Sequence, residues 1–565
     1  MKKTMKSLFF TLTAVLFVSF AGKAQSVEEG RRHLNAERYI KAGEVFNNLV
    51  QTNPTEETYF ELGRYYLSIP TADVAKAKEA FTSGNALDKG STMNEIGLAW
   101  VKIAQKDMAG AKVILDEIFK KNKNAKDPEL LIKAAEGYTF KELPNDPAEA
   151  IMYLDKAMEV KKDDYPQLYI VRAKAFDIQN EGGDVMNALQ NALRFNPKDK
   201  ANVYSFMSRI WLQGKNYPEA QEAIKNSIAA DVEHAPAYRY SSSLNQTYQR
   251  WDLAAEAAEK YLKYSDGDCS AKLRYTKIAF IAKDYDNVLK TVKEIESCNT
   301  DPIVHRLTGI AKFEQGKPAE AVDDLKTYLS KAEEEEIFGL DYGWLGRGYI
   351  EMAKNEMPVV EENEKLGVAN IEKAVAMNDT TFDYYTHLGT YFQEKKDYPN
   401  AITFIKKDIA TKKTPTGDDY WRLGYLQYVT RNYAGADSTF DKVCVAYGDS
   451  WAPPYLMSAR AKAYKDTEDT TFQAAGKYEK YLSLLSDDEK TQNASNVAEA
   501  YNYLAGKELA VNKDIEKATE YLDLLLKYDP ENERAMQLKN SINGVVPEEE
   551  MEGVEGDSLN TESGK

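Results

Sequence analysis

Residues able to do chemistry are few and scattered in this chain of 565 residues. Its four histidines, His33, His234, His305 and His387, lie far apart. None has the HExxH spacing that sets two imidazoles and a base on one helix face to hold zinc. Each reads as a groove or surface residue rather than a ligand. No GxSxG stretch presents a nucleophilic serine. Gly316-Lys317 is followed by Pro318 and lacks the upstream glycine of a phosphate-cradling loop. Gly343, Gly346 and Gly348 resemble a nucleotide loop in spacing alone, because they sit inside a helical pattern. Asp266-Gly267-Asp268 and the acidic run at 466–469 offer oxygen ligands of the kind calcium takes, but neither completes an EF-hand loop. The expectation is therefore a protein with no catalytic, cofactor-binding or metal-ligating residues: not an enzyme, and no cofactor.

The elements around these residues say more. Apolar residues are 43% and charged residues 29%, a soluble balance, with Tyr unusually frequent at 37 residues. Lys2, Lys3 and Lys6 precede an uncharged apolar stretch from Leu8 to Ala21, and Gly22-Lys23-Ala24 offers small residues for cleavage. That pattern reads as a secretory signal peptide over residues 1–24 of bacterial type, too short to be an anchor. It places the mature protein in a periplasm. Without those residues the chain has 69 Lys and Arg against 90 Asp and Glu, a net charge of −21. Such a chain repels phosphate backbones, so nucleic acid is excluded as a partner, and no direct membrane insertion is expected.

The chain repeats itself. Tyr385, Leu388, Gly389, Tyr398, Ala401 and Ile405 recur 35 positions later as Tyr420, Leu423, Gly424, Tyr433, Ala436 and Phe440. Tyr59, Leu62, Gly63 and Tyr66 keep the same internal spacing, as do Tyr342, Leu345, Gly346 and Tyr349. Ala with a larger apolar residue four places on follows each cluster, as in Ala42 and Phe46 or Ala220 and Ile224. Steps of three and four put these residues on one helix face. Short polar stretches such as Lys395 to Pro399 leave room only for a tight antiparallel turn. Pro54, Pro197 and Pro530 stop second helices. The pattern therefore predicts helix hairpins that bury their apolar faces only by stacking on one another.

On these residues the chain resembles the tetratricopeptide repeat, whose pattern sets an aromatic, Leu-Gly, Tyr, Ala, Phe, Ala and Pro over 34 residues. About fourteen copies phase with starts near 25, 56, 90, 128, 166, 201, 235, 268, 302, 339, 382, 417, 452 and 498. Those near 90, 235 and 268 fit least well. Insertions fall near 356–364 and 466–471, and are expected as loops or helix extensions. The resemblance implies an all-α, right-handed superhelical solenoid over 25–545, as one block or as two meeting near 335. A closing helix follows Pro530, and residues 546–565 form an acidic disordered tail.

The family's first helices line its concave face and usually hold a peptide or a partner helix. The residue after the small position is Arg64, Lys174, Arg209, Arg347 or Arg460 in five copies. These five are the candidate partner-binding residues, a basic ladder for an acidic peptide or carboxylate terminus. The competing reading pairs each with a carboxylate of a neighbouring repeat. The family's dicarboxylate clamp is not reproduced, since Thr386, Thr390 and Asp418 occupy its positions. Cys444 reads as a buried small hydrophobe. Cys269 precedes a first helix and Cys298 follows its second, so both fall on one edge of a hairpin and a disulfide is conceivable. The expected function is a periplasmic scaffold or adaptor in a cell-envelope assembly, serving outer-membrane biogenesis, secretion or transport. Its partners would be envelope proteins or peptides in a hetero-complex. The alternative is a glycan- or peptidoglycan-binding receptor, suggested by the tyrosines.

Overall fold

A computed structural model describes residues 26–87, 91–160, 165–356, 360–465, 470–542 and 544. The expected signal peptide and acidic tail lie outside these residues, as does part of each insertion. Among the described residues there are thirty-one α-helices and no strand. Alternating first and second helices account for nearly all of them. First helices begin at Val27, Glu56, Thr92, Pro128, Pro166, Lys200, Ala235, Cys269, Ile303, Gly339, Tyr384, Gly417, Pro453 and Ala494. Each start lies close to the one read from the sequence, including the three poorly fitting copies. The described part of the insertion near 356–364 that begins at Val360 is a helix extension, because Val360–Ala376 is one continuous second helix.

Local chemistry sets the helix ends. The side chains of Thr55, Ser91, Asp107, Asp199, Asp268 and Thr416 each accept a hydrogen bond from a first-turn N–H, which satisfies a donor the helix itself leaves unpaired. The turns within hairpins share one conformation. Glu37, Lys106, Asn180, Lys215, Gln249, Lys283, Lys396 and Arg431 all have φ between 55° and 64°, in the left-handed region that closes a helix C-terminus. The residue after each reaches back to the preceding helix, as Arg38 N does to the His33 carbonyl (2.9 Å) and Asn432 N to that of Gln427 (2.8 Å). These eight hairpins therefore close with the same turn.

Packing explains the repeated letters. A Cβ on Gly63 would lie 2.4 Å from the Phe81 ring, and one on Gly424 would lie 2.9 Å from that of Phe440. At Gly346 the obstacle is also backbone, the Gly367 carbonyl at 2.8 Å. Ala42, Ala77, Ala220, Ala321, Ala401 and Ala436 on second helices are fully buried. Small residues on both helices thus let the pair approach, and the large neighbours fill the remaining space.

The chain forms two compact units, divided between Gln315 and Gly316. The division falls between the helices Ile303–Glu314 and Pro318–Lys331, ahead of the boundary expected near 335. At 335 the chain is tied down instead, because residues Glu334–Glu336 form one 3-10 turn and the Tyr328 hydroxyl donates to the Glu336 carbonyl (2.7 Å). In the second unit, Glu533–Ile542 closes the array, burying Ala535 and resting Leu538 and Ile542 on the last apolar cluster.

Candidate interaction surface

The five basic residues sit on first helices, and their surroundings differ. Arg64 bonds Glu136 (2.7 Å) and Glu61 (3.3 Å), and Glu61 also takes Arg31 (2.6 Å). Lys174 lies 3.5 Å from the same Glu136. The result is a chain of alternating charge, Arg31–Glu61–Arg64–Glu136–Lys174, along the first helices. Glu61 and Glu136 are buried. Burial alone would raise the Glu136 carboxyl, but Arg64, Lys174 and Lys133 outweigh it and hold its pKa at about 2. Arg209 continues the pattern with a two-pronged contact to Asp177 (3.0 and 2.9 Å), the planar fork matched to a carboxylate.

In the second unit Arg460 grips Glu499 (3.0 and 2.5 Å) and Asn496 (2.7 Å), while the Tyr478 hydroxyl donates to Glu499 (2.7 Å). Arg347 is held differently: its guanidinium lies 4.2 Å from the centres of both the Trp344 and Phe382 rings, a cation–π sandwich. Arg64, Lys174, Arg209 and Arg460 therefore carry carboxylate partners from other first helices, of the adjacent repeat for Lys174, Arg209 and Arg460 and of the next but one for Arg64. The physical reason is that stacked first helices bring acids within reach.

A site that sequence reasoning passed over lies beside them. Arg422 bonds the Gln393 amide oxygen (2.8 Å) and the Thr390 hydroxyl (2.9 Å), both neutral. Burial lowers its pKa, against a smaller opposing pull from Asp408. Tyr425 and Val429, on the same helix, are 48% and 40% exposed. The signal available in the sequence was an arginine three residues before an aromatic at first-helix positions that do not pack.

The histidines divide. His234 is buried, contrary to the surface or groove position expected of it, because the turn of the first hairpin covers it. His387 faces Arg347 and Lys354; burial first, then those charges, push its pKa down to about 4. Cys269 and Cys298 form a disulfide, with α-carbons 6.2 Å apart, across the open edge of their hairpin. Cys444 is buried, which raises its thiol to about 11. Among the described residues no group of three acidic, His or Cys side chains is placed to hold a metal, and no helix is long and apolar enough to cross a membrane.

Successive helix hairpins, five of them with a first-helix glycine (Gly30, Gly63, Gly346, Gly389, Gly424) seated on a side chain of their own second helix, decide the architecture. It is of the tetratricopeptide-repeat type. No family model matches the chain, and no curated protein matches it. Solved structures of tetratricopeptide-repeat proteins are similar to it. The C-terminal part of a repeat protein from Cytophaga hutchinsonii is 25% identical, covering 47% of this chain and 98% of its own (TM-score 0.31). A tetratricopeptide repeat protein from Parabacteroides merdae is 16% identical, covering 45% and 94% (TM-score 0.29). Yeast Tom70 is 13% identical, covering 74% and 97% (TM-score 0.26).

Proposed function

We propose that this protein is a non-catalytic scaffold that binds other proteins in a bacterial envelope, and that it acts in the periplasm. The observation that carries this reading is the division of labour along each first helix. In Gly417–Val429, Leu423 and Gly424 are buried in the stack, while Tyr425 and Val429 between the packing positions are exposed. Packing thus uses the repeated letters and leaves the varying ones for a partner. An exposed ring beside Arg422, which bonds only neutral groups among the described residues, suits an apolar segment with an acidic neighbour. The signal-like first 24 residues support the envelope location. Outer-membrane biogenesis, secretion and transport are the assemblies such a scaffold would serve.

A photo-crosslinking amino acid at Tyr425, in cells producing the full chain, tests this directly. Capture of one or a few envelope proteins, lost in Arg422→Ala, supports the reading. Recovery of no envelope protein overturns it. A glycan-binding reading draws on one feature, the half-buried Trp421, Trp451 and Tyr447, with rings 4.6 and 4.8 Å apart. Titration with soluble peptidoglycan fragments, read by Trp fluorescence, distinguishes it, and an unchanged spectrum excludes it.

A further inference from the structure

The first hairpin, Val27–Asn35 with Tyr39–Thr52, has two kinds of neighbour. Towards the second repeat it is held by oil. The cluster of Leu34, Ala42, Val45, Phe46, Leu49, Leu62 and Ala80 draws all its members, buried and partly buried, from residues 27–80. Towards the sixth to eighth repeats, some 165 to 230 positions further on, it is held by polar contacts. Asn35 donates to Asp199 (2.8 Å), Arg38 to Glu233 (2.8 Å), and Arg239 and Tyr261 both reach Glu37 (2.7 and 2.8 Å). The Ile40 backbone N–H meets Asp266 (2.9 Å), and Lys198 pairs with Glu28 (2.5 Å). Several of these partners stand largely in solvent: the side chains of Glu233, Glu28 and Lys198 are 51%, 51% and 82% exposed. Such pairs are individually weak and screened by salt.

The seam is also incompletely satisfied. Nδ1 of His33 and of His234, Nε and Nη2 of Arg38 and Oδ2 of Asp231 are buried with no hydrogen-bond partner among the described residues. Interiors that stay shut seldom leave so many polar atoms unpaired in one place. We propose that the first hairpin is a detachable clasp, hinged on its apolar joint with the second repeat. It is latched to the later repeats by the Asn35, Glu37, Arg38 and Ile40 contacts, so the first unit exists in closed and open forms.

Two of the chain's histidines lie in the latch, and their surroundings set the direction of a pH response. His234 is bonded through Nε2 to the Ser205 hydroxyl (2.9 Å). Asp199 and Asp231 face it from the neighbouring helix ends, Arg38 from the first hairpin, and Arg239 from its own helix. His33 faces Glu29, Arg32, Arg38 and Lys41. In the closed form burial, with the nearby cations, disfavours the charged state of both rings. An open latch lets each return towards the ordinary value near 6.5. The open form therefore binds more protons, and acid opens the clasp.

The test uses the full mature chain with Cys444→Ser, spin-labelled at Lys41→Cys and Lys200→Cys, with the distance read by pulsed electron resonance. At low salt and about pH 7.5 one short distance is expected. About 1 M NaCl, or about pH 5.5, adds a second, longer distance while helical circular dichroism stays constant. The pair of changes Glu37→Gln and Arg38→Met raises the open fraction about tenfold, the equivalent of about 1.4 kcal/mol. A single unchanged distance in wild-type protein through both titrations overturns the proposal. So does a longer distance that appears only together with loss of helix, which would mean unfolding and not release.

Discussion

The two units solve the same packing problem with different chemistry. Residues 26–315 line their first helices with alternating charge, from Arg31 through Glu136 to Lys174, and then Arg209 on Asp177. Residues 316–542 rely more on rings: Arg347 between Trp344 and Phe382, Phe392 stacked on Phe404 (5.4 Å), Trp421 against Trp451, and Tyr433 stacked on Tyr464 (5.2 Å). Arg460 with Glu499, Lys462 and Lys465 with the buried Asp437, and Lys517 with Glu508 are exceptions there. Ring contacts are indifferent to salt and to moderate acid, whereas buried ion pairs depend on every member being present and ionised. The same repeat can therefore be built to lean on charge in one stretch and on rings in another.

Removing the hub of the charged face should have the largest effect. Glu136→Ala leaves Arg64 buried with only Glu61 and strips Lys174 of its acid, a loss of about 3–5 kcal/mol by analogy with other broken buried pairs. Hydrogen-exchange mass spectrometry should show faster exchange across residues 56–178 and none of it beyond 316. Uniform acceleration in both units would erase the contrast.

Acid should separate the units next. In the first, the Glu136 carboxyl is depressed to about 2. Its contribution is present above the ordinary carboxylate value near 4.3 and is lost as pH falls from there towards 2. In the second, His387 is depressed to about 4. A buried neutral imidazole favours the folded form fully above about 6.5, and this advantage declines as pH falls towards 4, by up to about 3 kcal/mol. Urea midpoints of His387→Phe and wild type between about pH 7 and pH 4 check this: the wild type should weaken and the variant should not follow.

Much of this architecture was legible because packing is local and periodic. Leu388, Gly389, Ala401 and Ile405 are buried where their spacing put them, and the starts near 90, 235 and 268 hold hairpins despite their weak letters. A repeat copy inherits its fold from its neighbours as well as from its own residues. The basic ladder was legible as positions and not as partners. Glu136 occupies the place in its repeat that Arg64 and Lys174 occupy in theirs, so the alternation of sign could have been found by aligning that column. The latch between Asn35 and Asp199 could not, since it depends on how small rotations accumulate over several hairpins.

The glycines offer a smaller contrast that does not involve charge. Gly346→Ala drives a methyl against the Gly367 carbonyl and Ile371, and backbone cannot step aside cheaply. Gly424→Ala first meets the Phe440 ring, which can tilt. Overpacking costs of about 1–3 kcal/mol are expected for the first and less for the second, read from thermal unfolding of the two variants.

The finest test sets one contact of each kind side by side. Arg209 and its partner Asp177 are largely shielded, at 23% and 11% side-chain exposure, yet water reaches them, so Arg209→Ala should cost only about 1 kcal/mol at low salt. Trp451→Leu removes half-buried ring contacts with Trp421 and Tyr447, also worth about 1 kcal/mol. Raising NaCl to about 1 M shortens the screening length to about 3 Å. The stability gap between wild type and Arg209→Ala should then shrink towards zero, while the Trp451→Leu gap stays or grows as apolar burial is favoured. If both gaps respond alike, the two faces differ in their residues and not in their physics.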